Sequence, residues 1–130
     1  MYLSRAVKDA GHQMEALCLP DPLWLKKISV YDPDVITWSV MTGNHTPIFD
    51  LNKLLKTKFD FISIMGGPHV TFVPDCVTDP SIDALCIGEG EGAIVELLDT
   101  LERGEDWRGI QNIAYCDDGE TIVKNPLRPL

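Results

Sequence analysis

The sequence contains no uninterrupted apolar run of about 18 residues, the minimum that would span a bilayer as a helix, so no membrane-crossing segment is expected. It is also poor in positive charge. Eleven Lys and Arg face twenty Asp and Glu, a formal net charge of −9, and that imbalance repels phosphate backbones and anionic headgroups at long range. Nucleic acid and membrane surfaces are therefore excluded as expected partners. Cys-x-x-Cys pairs are absent. Cys18, Cys76, Cys86 and Cys116 stand far apart, whereas zinc and iron–sulfur sites draw at least two ligands from one tight turn. These four are read as reduced, buried thiols. The stretch Met1–Leu19 is broken by Arg5, Lys8 and Asp9, so it lacks the apolar core of a secretion signal, and a cytoplasmic location is expected.

What is present is the composition of one ordinary globular domain, residues 1–130, with 45% hydrophobic residues, ten Gly and nine Pro. A chain of this length buries roughly two-thirds of its unfolded surface and needs no staple. Residues 2–10 place Tyr2, Leu3, Ala6, Val7 and Ala10 on one helical face, and Gly11 follows as a left-handed cap. His12–Leu19 reads as a strand, ended by Pro20-Asp21-Pro22, and a short helix through Trp24 and Ile28 follows. Beyond the Asp32-Pro33-Asp34 turn, Val35–Met41 is β-branched and uncharged, which predicts a central strand covered on both faces. Thr46 and Pro47 suit an N-cap and first helical position, with Asp50 in the first turn, Ile48, Leu51 and Leu55 on one face, and Lys53, Lys56 and Lys58 toward the C-terminal end.

Further strands are expected at Phe59–Met65 and Ser81–Ile87, with a short irregular helix at Val73–Val77 between them. A helix after Gly88-Glu89-Gly90-Glu91-Gly92 turns Ile94, Leu97, Leu98 and Leu101 inward and closes near Gly104. Ile110–Tyr115 and Thr121–Lys124 flank Asp117-Asp118-Gly119 as a C-terminal β-hairpin. Strands alternating with helices argue an α/β fold, a parallel sheet with helices on both faces. In such sheets ligands bind beyond the carboxyl ends of the strands. Here those ends are the loops at Thr42, Gly66 and Gly88.

Each loop has a chemical reading and a plainer one. The first, Ser39 to Thr46, offers hydroxyls, an amide and an imidazole, although Thr46 and Asn44 can equally serve the helix start and the turn. Ser39 differs, because a hydroxyl inside an apolar run needs a partner or costs about 1–3 kcal/mol. In the second loop Gly66-Gly67 precedes Pro68, His69 and Val70, so a ligand could approach bare backbone, or the glycines could simply make a tight turn. In the third, Glu89 and Glu91 at a helix start are explained as dipole partners. They repel phosphate and have no nucleophile nearby in sequence.

Taken together, Ser39-x-Met41, Gly66-Gly67-Pro68-His69 and Gly88-Glu89-Gly90-Glu91 resemble the N-terminal cobalamin-binding domain of radical S-adenosylmethionine (radical SAM) enzymes, from the first helix to Asn125-Pro126-Leu127-Arg128-Pro129. The resemblance implies a flavodoxin-like (Rossmann-like) domain with the corrin across the carboxyl ends of the strands. It implies that Ser39 hydrogen-bonds the nucleotide tail, that Gly66 and Gly67 let the tail lie on bare backbone, and that Met41, Thr42, Gly43, Pro68, His69, Val70, Gly88, Glu89 and Gly90 belong to the same cleft. A flat macrocycle with a long tail needs a glycine-lined slot more than it needs charge.

This chain departs from the family pattern in three respects. There is no Asp-x-His-x-x-Gly string, so cobalamin would have no protein axial histidine, and Gly11-His12 lies at a helix end. There is no Cys-x-x-x-Cys-x-x-Cys, so the chain holds no iron–sulfur cluster and is non-catalytic by itself. Its implied partner is a radical SAM catalytic domain, in cis or in trans. Finally, the family opens with a strand before the first helix, and this sequence is expected to begin inside that helix. Bare strand edges recruit other strands. Residues 12–19 are therefore expected to pair with the Val35 strand or with another chain, which admits a homodimer; the alternative is a truncated gene with a damaged cleft. Competing with cobalamin binding is a degenerate, cofactor-free interaction or scaffolding domain. A phospho-acceptor domain would need an aspartate where Thr42 and Gly66 stand.

Overall fold

The computed structural model describes residues 7–15, 23–41, 43–88 and 90–129. Residues 7–9 are helical and end at Gly11, whose N–H returns to Lys8 O at 3.0 Å. The elements that follow are α1 (Trp24–Tyr31), β1 (Val35–Ser39), α2 (His45–Lys58), β2 (Ile62–Gly66), α3 (Pro68–Phe72), a 3-10 turn (Pro74–Thr78), β3 (Ala84–Cys86), α4 (Glu91–Glu102), β4 (Ile113–Tyr115) and β5 (Val123–Lys124). The sheet order is β1-β2-β3-β4-β5. β1, β2 and β3 are parallel, β4 runs antiparallel to β3, and β5 forms the expected hairpin with it, pairing Ala114 with Lys124.

Alternation along β2 divides the interior into two layers. Ile64 turns to a cluster with Ala93, Ile94 and Leu97 of α4, while the next residue, Met65, turns to one with Ile48 of α2, Val70 of α3 and Val77. Helices therefore cover both faces, as the patterning predicts. Leu55, Leu85 and Leu97 are fully buried, each contributing about 1.5–3 kcal/mol by leaving water.

Part of the contact between α2 and the sheet is polar. Asn52, fully buried, accepts from Ser63 Oγ at 2.5 Å and Trp38 Nε1 at 3.2 Å and donates to Ser81 O at 2.8 Å. One turn on, Lys56 Nζ donates to Asp83 Oδ2 and to Phe61 O, each at 2.6 Å. That carboxylate also receives the Ser63 N–H at 2.7 Å. These bonds set the height of α2 along β2, and with it the position of the loop that precedes α2.

Several elements differ from the expected ones. Residues 12–15 form no strand, and 16–19 lie outside the described residues. β1 is a marginal strand of the described sheet and pairs there with β2 alone, where its apolar sequence predicts a central one. α2 begins at His45, so Asn44 takes the cap position, Thr46 falls inside the helix and no acidic residue occupies the first turn. The cap is not made by a side chain, because Asn44 Oδ1 accepts the Met41 N–H at 2.7 Å instead. A short helix at Pro68–Phe72 follows the Gly-Gly pair, where the glycines predict a loop; Pro68 at its start supplies a preset φ.

Candidate functional site

The loops after β1 and β2 are clasped by backbone. Val40 N–H donates to Gly66 O at 2.8 Å and His69 N–H to Val40 O at 3.2 Å. Between these bonds Gly67 has φ of +101°, and a Cβ built on it would lie 2.6 Å from Val40 O. The second glycine is thus required by protein packing. Gly66 is different: a Cβ there would meet Cys86 O at 3.8 Å and Trp38 O at 3.9 Å, ordinary contacts.

From these ends a crevice of about 820 Å³ opens, and it follows β1 along its whole length. Ser39, Asn44, Gly66, Gly67, Cys86, Gly88 and Gly90 line it at the carboxyl end of the sheet. Ile48 and Leu51 of α2 and Ile94 and Leu98 of α4 also border it, and it continues past Val35 to Tyr31 and Pro33. Residues from all three glycine-bearing loops therefore share one cavity. A second, shallow depression of about 710 Å³ at Phe49, Lys53, Cys76 and Asp79 shares none of these residues.

Of the twelve residues expected at the site, Ser39, Gly66, Gly67, Gly88 and Gly90 line the crevice. Ser39 is exposed and its hydroxyl has no partner among the described residues, so the expectation of a buried hydroxyl needing a local acceptor does not hold. Met41, Gly43, Pro68, His69 and Val70 are not among the lining residues. Met41 is 53% exposed, and Val70 is fully buried in the core. Thr42 and Glu89 lie outside the described residues. Asn44, Cys86 and the helix residues Ile48 and Ile94 were missed as lining groups. Their apolar spacing marks Ile48 and Ile94 as core, and nothing local distinguishes a core residue that also borders a cavity.

His69 stacks on His45, with ring centroids 4.2 Å apart and planes 10° from parallel, and Phe49 lies 6.0 Å from both. Gly43 N–H donates to His45 Nδ1 at 3.3 Å, which ties the stack to the turn between β1 and α2. Burial, and then the neighbouring His45, lower the His69 pKa below its ordinary value. Burial pushes the Cys86 thiol up to about 11; Glu91 adds to that rise and Arg128 opposes it. At the crevice Cys86 is therefore a neutral thiol at neutral pH. Cys76, Cys86 and Cys116 are free thiols, and Cys18 lies outside the described residues.

A half-open, largely apolar slot with bare backbone on one side and the Ser39 hydroxyl at its carboxyl end suits a large, flat ligand carrying a polar tail. Comparison with known proteins agrees with that class. The B12 binding domain family matches residues 1–98. An uncharacterized methyltransferase of Pyrococcus horikoshii is 35% identical over 108 residues, covering 81% of this chain and 23% of that protein. The cobalamin-dependent radical SAM methyltransferase TokK of Streptomyces tokunonensis is 29% identical over 84% of this chain and 17% of its own length. The chain belongs to the B12-binding domain family.

Solved structures show the same fold. The cobalamin-dependent S-adenosylmethionine radical enzyme OxsB, with aqua-cobalamin and S-adenosylmethionine bound, superposes with a TM-score of 0.86 at 20% identity, over 99% of this chain and 19% of that one. The radical S-adenosylmethionine methyltransferase TsrM from Kitasatospora setae gives 0.80 at 20% identity, over 96% and 26%. The chain spans about a quarter or less of the length of these relatives. It matches the cobalamin-binding modules of radical SAM enzymes and carries no Cys-x-x-x-Cys-x-x-Cys. No helix among the described residues is long and apolar enough to cross a membrane.

Proposed function

We propose that residues 1–130 form one domain that holds cobalamin in the crevice beside β1 and presents it to a radical SAM catalytic domain, in cis or in trans. The observation that carries this reading is the meeting of Ser39, Gly66, Gly67, Gly88 and Gly90 on one cavity. Ser39 Oγ, without a partner among the described residues, hydrogen-bonds the tail, and Gly66 offers a surface on which no side chain stands in the way. Ile48, Leu51, Ile94 and Leu98 exclude water from its sides. Bound cobalamin supplies a cobalt centre able to carry a methyl group. The chain's own part is to bind and orient, without an axial histidine. A cytoplasmic setting, which the free thiols suit, completes the proposal.

Titration with hydroxocobalamin, followed in the visible spectrum, tests this. A stoichiometric shift of the bands is expected, weakened at least tenfold in Ser39→Ala, a loss equivalent to about 1.4 kcal/mol. A spectrum unchanged at saturating cofactor, also after addition of the catalytic domain, overturns the reading in favour of a cofactor-free interaction domain.

The free side of β1 supports a partner as well. Ile62 N–H reaches Asp34 O at 2.9 Å and Val40 N–H reaches Gly66 O at 2.8 Å, so even-numbered positions bond to β2. The N–H and C=O groups of Val35, Thr37 and Ser39 point the other way, and no described strand meets them. We infer that a second copy pairs along Val35–Thr37, away from the carboxyl end that takes the ligand. Light scattering should give twice the 14.5 kDa of the chain, and Thr37→Pro, which removes an outward donor, should return it to one. A monomer at high micromolar concentration excludes the pairing.

A further inference from the structure

Outside the crevice, three side chains with metal-ligating atoms meet at the far end of α4. The backbone that carries the first of them is tied down by hydrogen bonds and packing. Gly11 (φ +91°) ends the helical turn, and His12 N–H returns to Val7 O at 3.2 Å. Val7 is 2% exposed and packs in the same cluster as Ala93, Ile94 and Leu97 of α4. His12 thus reaches α4 from an anchored turn. Its Nε2 lies 2.7 Å from Asp99 Oδ1 and its Nδ1 lies 3.9 Å from Glu102 Oε2, and the imidazole side chain is 16% exposed.

Asp99 and Glu102 are three residues apart on one helix, which sets them on the same face one turn from each other. One ligand atom from each of the three residues falls within 4.8 Å of the others. The place is favourable for a cation, because the final turn of a helix carries the negative end of its dipole. The Arg103 guanidinium pairs with Glu105 and also feels the Asp99 carboxylate, without a bond to any of the three. A nitrogen with two carboxylate oxygens, and room for water on the exposed side of Glu102, is the donor set of borderline divalent metals rather than of Ca²⁺ or of thiophilic ions.

We propose that His12, Asp99 and Glu102 bind one borderline divalent cation, with Zn²⁺ as the probe, and that the ion staples residues 7–12 to the C-terminal end of α4. Ligation through Nε2 replaces the hydrogen bond between His12 and Asp99 with bonds from both to the metal; a neutral imidazole keeps its single proton on Nδ1, and an imidazolium releases one proton to solvent. The inference does not depend on cobalamin binding, since none of the three residues lines the crevice.

Calorimetric titration of the metal-free full chain with Zn²⁺ tests it. One site of micromolar affinity is expected, accompanied by a rise in Tm. His12→Gln should abolish both effects. Because that variant also removes the bond to Asp99, Glu102→Gln provides a second test at a side chain that is 76% exposed. It should fold normally and weaken Zn²⁺ at least tenfold. Co²⁺ substitution identifies the donors, as a nitrogen and oxygen site lacks the intense near-ultraviolet thiolate band. Absence of saturable binding, binding unaltered in both variants, or a thiolate band at one equivalent would each overturn the assignment.

Discussion

Gly67 and Val40 touch so closely that a β-carbon on the glycine would sit 2.6 Å from the Val40 carbonyl oxygen and 3.0 Å from its nitrogen. The atoms it would meet are all Val40 backbone, with no flexible side-chain end to move aside, and the φ of +101° is itself unfavourable for any L side chain. Gly67→Ala is therefore expected to destabilise the domain by about 2 kcal/mol or more. The neighbouring Gly66→Ala, with ordinary contacts at 3.8 Å and 3.9 Å, should unfold close to the parent. Urea denaturation of the pair decides the matter: equal midpoints would show that the clasp between the two loops is looser than described.

The stacked imidazoles give the domain a pH dependence of definite sign. Burial and His45 hold the His69 pKa below the ordinary 6.5, so the unfolded chain binds the proton more readily than the folded one. The stabilising effect of the neutral stack is fully present above about 6.5 and is lost as pH falls from there toward the depressed folded value. His69→Phe keeps an aromatic face against His45 and removes the titrating group. Comparing unfolding midpoints at pH 7.5 and 5.5, the parent should lose more stability than this variant; identical losses would remove the stack as the cause.

Asn52 is the hub of the polar layer under α2. Replacing it with Leu leaves the Ser63 hydroxyl, the Trp38 indole N–H and the Ser81 carbonyl without the partner they share. Each buried group so stranded costs roughly 1–3 kcal/mol. A loss of at least about 2 kcal/mol is expected, together with a changed near-ultraviolet signal from Trp38. A neutral or stabilising result would mean that the layer relaxes around an apolar residue.

Thiol chemistry reports on the crevice floor. With its pKa pushed to about 11, Cys86 has about one thiolate per thousand molecules at pH 8, and only the thiolate is nucleophilic. Alkylation there should be slow at pH 8 and rise roughly a hundredfold by pH 10. Peptide mapping after timed iodoacetamide treatment measures it, and rapid labelling at pH 8 would contradict the burial of this side chain. Once a ligand occupies the crevice, labelling should slow further.

Much of the architecture could be read from periodicity. The apolar, β-branched segments at Val35, Ile62 and Ala84 became the three parallel strands, and Ile94, Leu97 and Leu98 of α4 turn inward at helical spacing. Boundaries were less legible. Asn44 rather than Thr46 precedes α2, because Asn44 Oδ1 engages Met41 N–H and the helix winds from His45 onward. Pattern alone cannot register such a competition between neighbouring caps. The strand expected at residues 12–19 failed over 12–15 for a related reason: alternation allows a strand, but a partner must supply the ladder, and β1 pairs with β2 alone among the described strands.

The candidate site divides in the same way. The three loops carry their glycines in the sequence, but Gly66 and Gly67 look equivalent there. Both line the crevice, but a β-carbon on Gly66 would make only ordinary contacts, while Gly67 is pressed against Val40.

By itself the amino-acid sequence determined the class of fold and the family signature, since hydrophobic period and glycine placement are local properties carried by each segment alone. Only the tertiary structure decided that those loops share one crevice, that His45 stacks on His69, and that His12 meets Asp99 across 87 positions of chain. Such meetings depend on how the layers pack and on the register of distant strands, which no window of sequence contains.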